Sequence, residues 1–483
     1  MRGTVARSPS RFALPDPTRL AARLTQASRR ARRRGSRGGG GECLVGLTWE
    51  LPGDVDPSAV GVCSRRAGEP WFCLEQPDRE RHAVVGIGAA AVLEDRGPGR
   101  FERVAGRWRE LAAGALADPP AGPAGAGLIA CGGFAFAPDG GSSPHWSAFA
   151  PASLVVPAVA LSRRGGEVRI TVASLVGRDD DPAELLAAVV TRLGELREEP
   201  LPLLDPHPTG RFRVAGAMAP EHYESAVGRA VERIRAGELE KVVLAREVDV
   251  HAPAAHDVAA VFGVLREAFG ACFVFCAGRG DAAFVAASPE LLIRREGMRA
   301  STLALAGSTR RSADPAVDDH LGEQLLQSAK DRQEHEIVSR RIELALRPVS
   351  VWVTKAPEPE VVAIANIQHL ATPVRAQLRR PVGAIELAGL LHPTPAVGGE
   401  PHAAAARLIP ALEGIDRGWY AGPVGWTDAN EDGEFCVALR CALVEDRMAR
   451  CYAGVGVVAD SDPAAELAET EVKLQALLPV LSG

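Results

Sequence analysis

Two short acidic patterns have the spacing that metal chemistry needs. Asp462-Pro463 opens a helix near the C-terminus, with Asp as N-cap and Pro at the first helical position. Glu466, Glu469 and Lys473 follow at i, i+3 and i+7 on one stripe, while Leu467, Leu474 and Leu478 lie on a different face. Earlier in the chain Asp331 and Glu334 stand at i, i+3, with Lys330 and His335 beside them. Two helices that each present an acidic pair can meet around a hard cation. Mg²⁺ takes oxygen ligands, usually one or two carboxylates completed by water and substrate. Acids at this spacing more often form a solvated helix face, so the pattern alone does not make a metal site.

Lysine usage adds a second signal. Of 55 basic residues only four are Lys: Lys241, Lys330, Lys355 and Lys473. A chain this rich in Arg keeps Lys where a compact amine, able to lose its proton on burial, does what a permanently charged guanidinium cannot. Gly-rich turns recur at Leu305-Ala-Gly-Ser308, Ala396-Val-Gly-Gly399, Ala421-Gly-Pro-Val-Gly425 and Ala453-Gly-Val-Gly456, where backbone can approach a ligand closely. The phosphate loop G-x-x-x-x-G-K-[ST], the nucleophile elbow G-x-S-x-G and the zinc helix H-E-x-x-H are all absent from the sequence.

The elements that must position these residues divide the chain into three stretches. Residues 1–41 carry an Arg/Gly-rich run and read as a disordered leader, without the apolar stretch of a secretory signal. From 42 to 209 short β-like runs dominate, closed by a helix over 182–198 and a Pro-rich linker, Pro202–Gly210. From 210 to 483 helices are expected at 220–236, 255–269, 318–346, 402–413 and 463–479. Strands are expected at Lys241–Val250, 272–277, 291–295, 349–354, 421–427, 434–445 and 449–458. The two kinds of element mix without a regular βαβ beat, so the fold class is α+β.

Composition narrows the function further. The chain has 483 residues, 46% hydrophobic and 24% charged, which is ample for a large core. No apolar run is long enough to cross a membrane. Net charge is -6 although residues 1–40 hold eleven Arg and one acid, Asp16. The body is therefore acidic, the wrong sign for binding nucleic acid. The nine Cys include no C-x-x-C pair, and most sit in apolar stretches, as buried thiols in the cytoplasm do.

Nine segments taken in order resemble a known family. They are Lys241-Val-Val-Leu-Ala-Arg246, Ser288-Pro-Glu-Leu-Leu292, Leu305-Ala-Gly-Ser-Thr-Arg-Arg311, Lys330-Asp-Arg-Gln-Glu-His335 and Ile367-Gln-His-Leu-Ala-Thr-Pro373. His392-Pro-Thr-Pro-Ala-Val397, Gly418-Trp-Tyr-Ala-Gly-Pro-Val-Gly425, Ala453-Gly-Val-Gly456 and Ser461–Lys473 complete the set. The chain is similar to chorismate-utilising enzymes, the family of isochorismate synthases, salicylate synthases and anthranilate synthase large subunits. Gly132-Gly-Phe-Ala-Phe136 resembles the family's N-terminal half.

The resemblance implies an anthranilate synthase component I-like fold, large β-sheets flanked by helices, with residues 210–483 as the chorismate-binding region. It implies Mg²⁺ on Glu334 and Glu469, with Asp331 and Glu466 as outer carboxylates. Arg440 and Lys473 are implied to hold substrate carboxylate, Gly454 and Gly456 to close over it, His369 to sit by the ring and Gly307 to wall the substrate hydroxyl. Lys241 and Glu290 match the general base and general acid. Burial lowers a Lys pKa and raises a Glu pKa, both in the direction required.

Three positions select within the family. Ammonia-using relatives carry Gln at the position of Lys241, and enzymes with a covalent Lys carry it at the position of Ala306. Salicylate and anthranilate synthases tend to carry Thr at the position of Ala396. The set found here implies isochorismate formation without pyruvate release, feeding siderophore, salicylate or menaquinone biosynthesis. Salicylate synthesis is the alternative. The implied partner is chorismate, with no glutamine amidotransferase subunit. A non-catalytic homologue, or a polyanion binder acting through the Arg leader, is the reading of another class, and intact Lys241, Glu290, Glu334 and Glu469 oppose it.

Overall fold

The computed structural model describes residues 11–35, 41–205, 208–364 and 367–483. Two antiparallel sheets organise them, of twelve and ten strands among the described residues. The larger runs from Cys43–Leu51 through Glu167–Val176, Val159–Arg164, His82–Ile87 and Trp71–Gln76 to Phe273–Arg279 and Ala282–Ser288. It continues through Cys441–Glu445, Met448–Val457 and Lys241–His251 to the short Gly399–Glu400, with Arg213–Gly216 also paired to Lys241–His251. The smaller runs Ser350–Lys355, Ile367–Leu378, Arg299–Arg310, Leu291–Glu296, Gly433–Val437, Pro423–Asp428, Ile129–Phe134, Ala152–Val156 and Ala91–Asp95, with Glu360–Ile364 also on Ile367–Leu378.

This is the expected α+β architecture of large sheets flanked by helices. Both sheets take strands from before and after residue 209, so that boundary is a landmark in the chain and not a division of the structure. One core joins the two sheets: Phe72, Phe275, Phe284 and Leu443 of the larger pack with Phe134, Val374, Trp426 and Phe435 of the smaller. Alternation along these strands, buried on the inner face, is what lets aromatic side chains from both sheets interdigitate. Of the linker Pro202–Gly210, residues 206 and 207 lie outside the described residues, and the rest carries no helix or strand.

The leader departs from expectation. Pro17–Gly35 is a helix, and its Leu20, Leu24, Ala27 and Ala31 are buried together with Phe12. Phe12, Leu20, Leu24 and Ala27 join a core that includes Val45, Leu47, Val172 and Leu193. Composition hid an apolar stripe at i, i+4, i+7 and i+11. The arginines lie off that stripe, and Arg19 and Arg23 pair with Asp118, the latter at 2.7 Å. Residues 1–10 and 36–40 of the leader lie outside the described residues.

Two expected elements are each divided. The helix at 318–346 is Pro315–Gln327 and Ala329–Leu346, because Ser328 caps a new helix by accepting from the backbone N–H of Asp331. The strand at 434–445 is Gly433–Val437 in the smaller sheet and Cys441–Glu445 in the larger. None of the nine Cys forms a disulfide, and only Cys63 among them is not buried. Among the described residues no helix is long and apolar enough to cross a membrane.

Candidate active site

The chain crosses from the larger sheet to the smaller at Pro289-Glu290 and returns at Ala438–Arg440. The crossings lie side by side. Val437 N–H donates to Glu290 O at 3.0 Å, the Ser288 hydroxyl donates to Val437 O at 2.5 Å, and Ala287 N–H donates to Arg440 O at 3.1 Å. Arg440 is left-handed, φ +48°, a conformation that costs energy for a residue with a side chain. Its guanidinium reaches a cavity between the sheets, and among the described residues no carboxylate lies within ion-pair distance of it. Glu290 lines the same cavity and is 4% exposed. Burial pushes its carboxyl up to about 8, against the smaller opposing pull of Lys241 and Lys473.

The neighbouring wall is a strand pair. Lys241–His251 runs antiparallel to Met448–Val457, with Val243 opposite Gly456 and Ala245 opposite Gly454. Lys241 is fully buried and does not border the cavity. Its Nζ lies 2.8 Å from Glu334 Oε1, which does border it. That contact is an ion pair without directed hydrogen-bond geometry, so the ammonium keeps unused donors. Gly456 makes the packing possible, since a Cβ there would strike the Glu334 carboxylate and lie 2.8 Å from Lys241 Cε.

Two helices deliver the acids. Glu334 comes from Ala329–Leu346 and Glu469 from Pro463–Leu474, and Lys330 bridges the helices through Glu466 at 2.7 Å. Glu469 is held by Lys473 at 2.8 Å and by the Ser308 hydroxyl at 2.8 Å, and Lys473 also donates to Gly454 O at 2.9 Å. The Ser308 and Lys473 contacts keep the Glu469 carboxyl below its usual range despite burial. Asp331 accepts from the Ser328 hydroxyl, and burial followed by repulsion from Glu334 raises its carboxyl. Glu466 is raised by burial.

Glu334 and Glu469 are therefore the carboxylates able to hold a divalent cation. Each is balanced by a monodentate Lys and not locked into an Arg fork. Two carboxylates and a cavity for water or substrate oxygens fit what Mg²⁺ asks. Among the described residues no three His, Cys, Asp or Glu side chains form a complete metal cage.

The last wall comes from the smaller sheet. Arg299–Arg310 bulges at Gly307, φ +74°, against Ile367–Leu378. A Cβ at Gly307 would also crowd Asp331 Cβ at 3.1 Å. His369 Nδ1–H donates to Gly307 O at 3.3 Å. Burial first, then Arg440 and Lys473, push its pKa down to about 3, so the ring is neutral and its unpartnered Nε2 is an acceptor. Ala396, in the turn after His392–Pro395, closes the cavity.

The cavity thus gathers Glu290, Gly307, Glu334, His369, Ala396, Arg440, Gly454, Gly456, Glu469 and Lys473. Lys241, Asp331 and Glu466 stand off its wall, Lys241 behind its pair with Glu334. Sequence reasoning gave no role to Ser308, which orders Glu469, or to Tyr420 and Tyr452, whose rings stack 5.2 Å apart at the wall. The chain has only three Tyr, so the scarcity argument applied to Lys would have found two of them. His335 was noticed as a neighbour of the acids. Its Nδ1–H donates to Ala306 O at 3.2 Å and its Nε2 accepts from Thr372 Oγ1 at 2.7 Å, fixing the helix of Glu334 to the bulged strand.

Comparison with known proteins shows what the whole chain is similar to. The chain is 39% identical over 443 residues to the salicylate biosynthesis isochorismate synthase of Pseudomonas aeruginosa, covering 91% of this chain and 90% of that protein. It is 31% identical over 417 residues to the isochorismate synthase MenF of Bacillus subtilis, covering 85% and 88%. The solved structure of the menaquinone-specific isochorismate synthase MenF from Escherichia coli superposes with a TM-score of 0.76 at 25% identity, covering 96% of this chain and 100% of that one. The profile of the family described as chorismate binding enzyme matches residues 36–482, a span that includes both sheets and every residue of the cavity. By sequence and by fold, the chain belongs to the chorismate binding enzyme family.

Proposed function

We propose that the chain converts chorismate to isochorismate, water adding at C2 as the hydroxyl leaves C4, with Mg²⁺ held by Glu334 and Glu469. The names of its full-length relatives support isochorismate formation. The observation that carries the reading is Glu290: a buried carboxyl with pKa about 8 facing a cavity that also holds two cationic side chains, Arg440 and Lys473. At neutral pH that carboxyl keeps its proton and can give it to a departing hydroxyl.

Chorismate is a dicarboxylate, and Arg440, lacking a carboxylate partner of its own, is placed to take one of its carboxylates. Lys473 holds the Gly454 backbone toward the cavity and offers a second positive charge. His369, neutral with Nε2 bare, accepts from a hydroxyl on the ring. Lys241 is the base that removes a proton from the attacking water, which requires the side chain to have given up its ammonium proton and its neutral amine to turn from Glu334 toward the cavity. Glu334 and Glu469 would hold a Mg²⁺, which would supply positive charge to stabilise electron density drawn toward the ring carboxylate.

Replacing Lys241 tests the assignment. Lys241→Ala is expected to lower turnover by roughly 10²–10⁴-fold, the usual contribution of a general base, with chorismate binding retained. Lys241→Arg is expected to fail as well, because a guanidinium does not give up its proton. Unchanged turnover in either variant, measured by steady-state kinetics, would place the base elsewhere.

A further inference from the structure

A second cavity of about 520 Å³ lies behind the reaction pocket, on the other side of the segment Ala396–Gly398. Its volume is within the range of small-ligand sites. The two cavities share a wall. Arg417, which lines the second, donates to the carbonyl oxygens of Val397 at 2.8 Å and Val243 at 2.9 Å, and both residues line the first. Arg417 is itself neutralised by Glu413, which also accepts from Ala245 N–H at 2.7 Å. Asp416 is satisfied by the backbone N–H groups of Gly141, Ser143 and Gly418 and by the Ser142 hydroxyl.

Arg100 is different. It lines this cavity, is 4% exposed, and among the described residues has no carboxylate within ion-pair distance. One Nη2 donates to Ala135 O at 2.8 Å, while Nε has no partner. Asp139 and the exposed Glu102 act on it only from a distance, and burial lowers its pKa to about 10, so the guanidinium stays charged at neutral pH. A buried charge left unpaired is costly, and the cost is removed when a matching anion arrives. The Arg100 guanidinium lies over the Phe101 ring, 4.8 Å from its centroid, Phe101 stacks on Phe134 on its other side, and Arg417 covers Phe136, so the apolar surface left to a ligand is the hydrocarbon of Ala405 and Ile409. His392 completes the lining: its Nε2–H donates to Phe136 O at 2.9 Å, burial pushes its pKa down to about 3, and Nδ1 is left as an unpartnered acceptor.

We propose that this cavity is a second ligand site, separate from the reaction pocket, that binds a small apolar carboxylic acid with its carboxylate on Arg100 and its hydrocarbon body against Ala405 and Ile409. A guanidinium is a planar two-pronged cation that pairs with a flat carboxylate, and the hydrocarbon lining beside it suits an apolar body better than a heavily charged one.

Calorimetric titration of the full chain with 2-naphthoate, using 2-naphthamide as the uncharged control, tests it. The expected isotherm contains a component that Arg440→Met leaves intact and that Arg100→Met weakens by roughly tenfold or more, the usual loss for a charged hydrogen-bond partner. The amide should lack that component. Ala406 is exposed at the cavity rim, so Ala406→Trp should fill the site from outside and remove the same component with the thermal midpoint unchanged. Binding that disappears with Arg440→Met and survives Arg100→Met would overturn the proposal. So would equal binding of acid and amide, or no binding to the wild type.

Discussion

Burial between the sheet crossings raises the Glu290 carboxyl, and this gives the proposed chemistry a pH signature. The protonated form is the active one, and its pKa is raised to about 8. Activity should therefore hold below that value and fall as pH rises through it, with kcat/KM reporting the free-enzyme group. Glu290→Gln should lose roughly 10²–10⁴-fold in rate and erase the alkaline limb. An unchanged limb in this variant would assign it to another group. The acids carry a separate prediction. Glu334→Gln and Glu469→Gln should each weaken Mg²⁺ affinity by at least roughly tenfold, the loss usual even for outer-shell partners of a metal. Chelation should silence the wild type and added Mg²⁺ restore it. Activity that persists in chelator would end the metal assignment. Glu334→Gln also strips Lys241 of its partner, so it should impair activity beyond what excess Mg²⁺ recovers.

Elements explain which of these residues the sequence disclosed. The cap signal Asp462-Pro463 and the i, i+3 acids lie within single helices, where a local period is enough to place them on one stripe. Arg440 was legible as a family position but not as the point where a strand breaks. The apolar run through 434–445 has no turn residue to announce that its halves join different sheets, because tertiary pairing makes that division. Ser328 did leave a signal, a Ser three residues before Asp331, which a reading in search of one long helix passed over. The leader was misread for a related reason, since eleven Arg masked one apolar stripe. A disordered leader could be removed without effect, whereas the buried helix predicts otherwise. Full burial of Leu20 and Leu24 is worth about 1.5–3 kcal/mol each. Truncation, or Leu20→Asp with Leu24→Asp, should lower the thermal midpoint by several degrees with KM for chorismate little changed. A midpoint equal to that of the full chain would restore the view of the leader as a passive extension.

At the scale of the whole molecule the cavity exists because two sheets share one core and exchange the chain twice at the same place. Neither half of the sequence could make it alone, since strands from before residue 209 complete both sheets. Most of the residues that the nine segments singled out line one cavity, while its closeness to Arg100 and the second cavity depends on how Ala396–Gly398 folds between them. Ala396 also bears on the outcome of the reaction, because it leaves only a methyl group where a hydroxyl and added bulk could re-aim the bound ring. Misplacement of about 1 Å can change a rate by roughly a hundredfold. The central claim is that chorismate leaves this site as isochorismate with its enolpyruvyl group intact. Incubating the full chain with chorismate and Mg²⁺, resolving products by chromatography and counting pyruvate through lactate dehydrogenase, tests it directly. The account predicts isochorismate as the product with little pyruvate, and stoichiometric pyruvate accompanied by salicylate would contradict it.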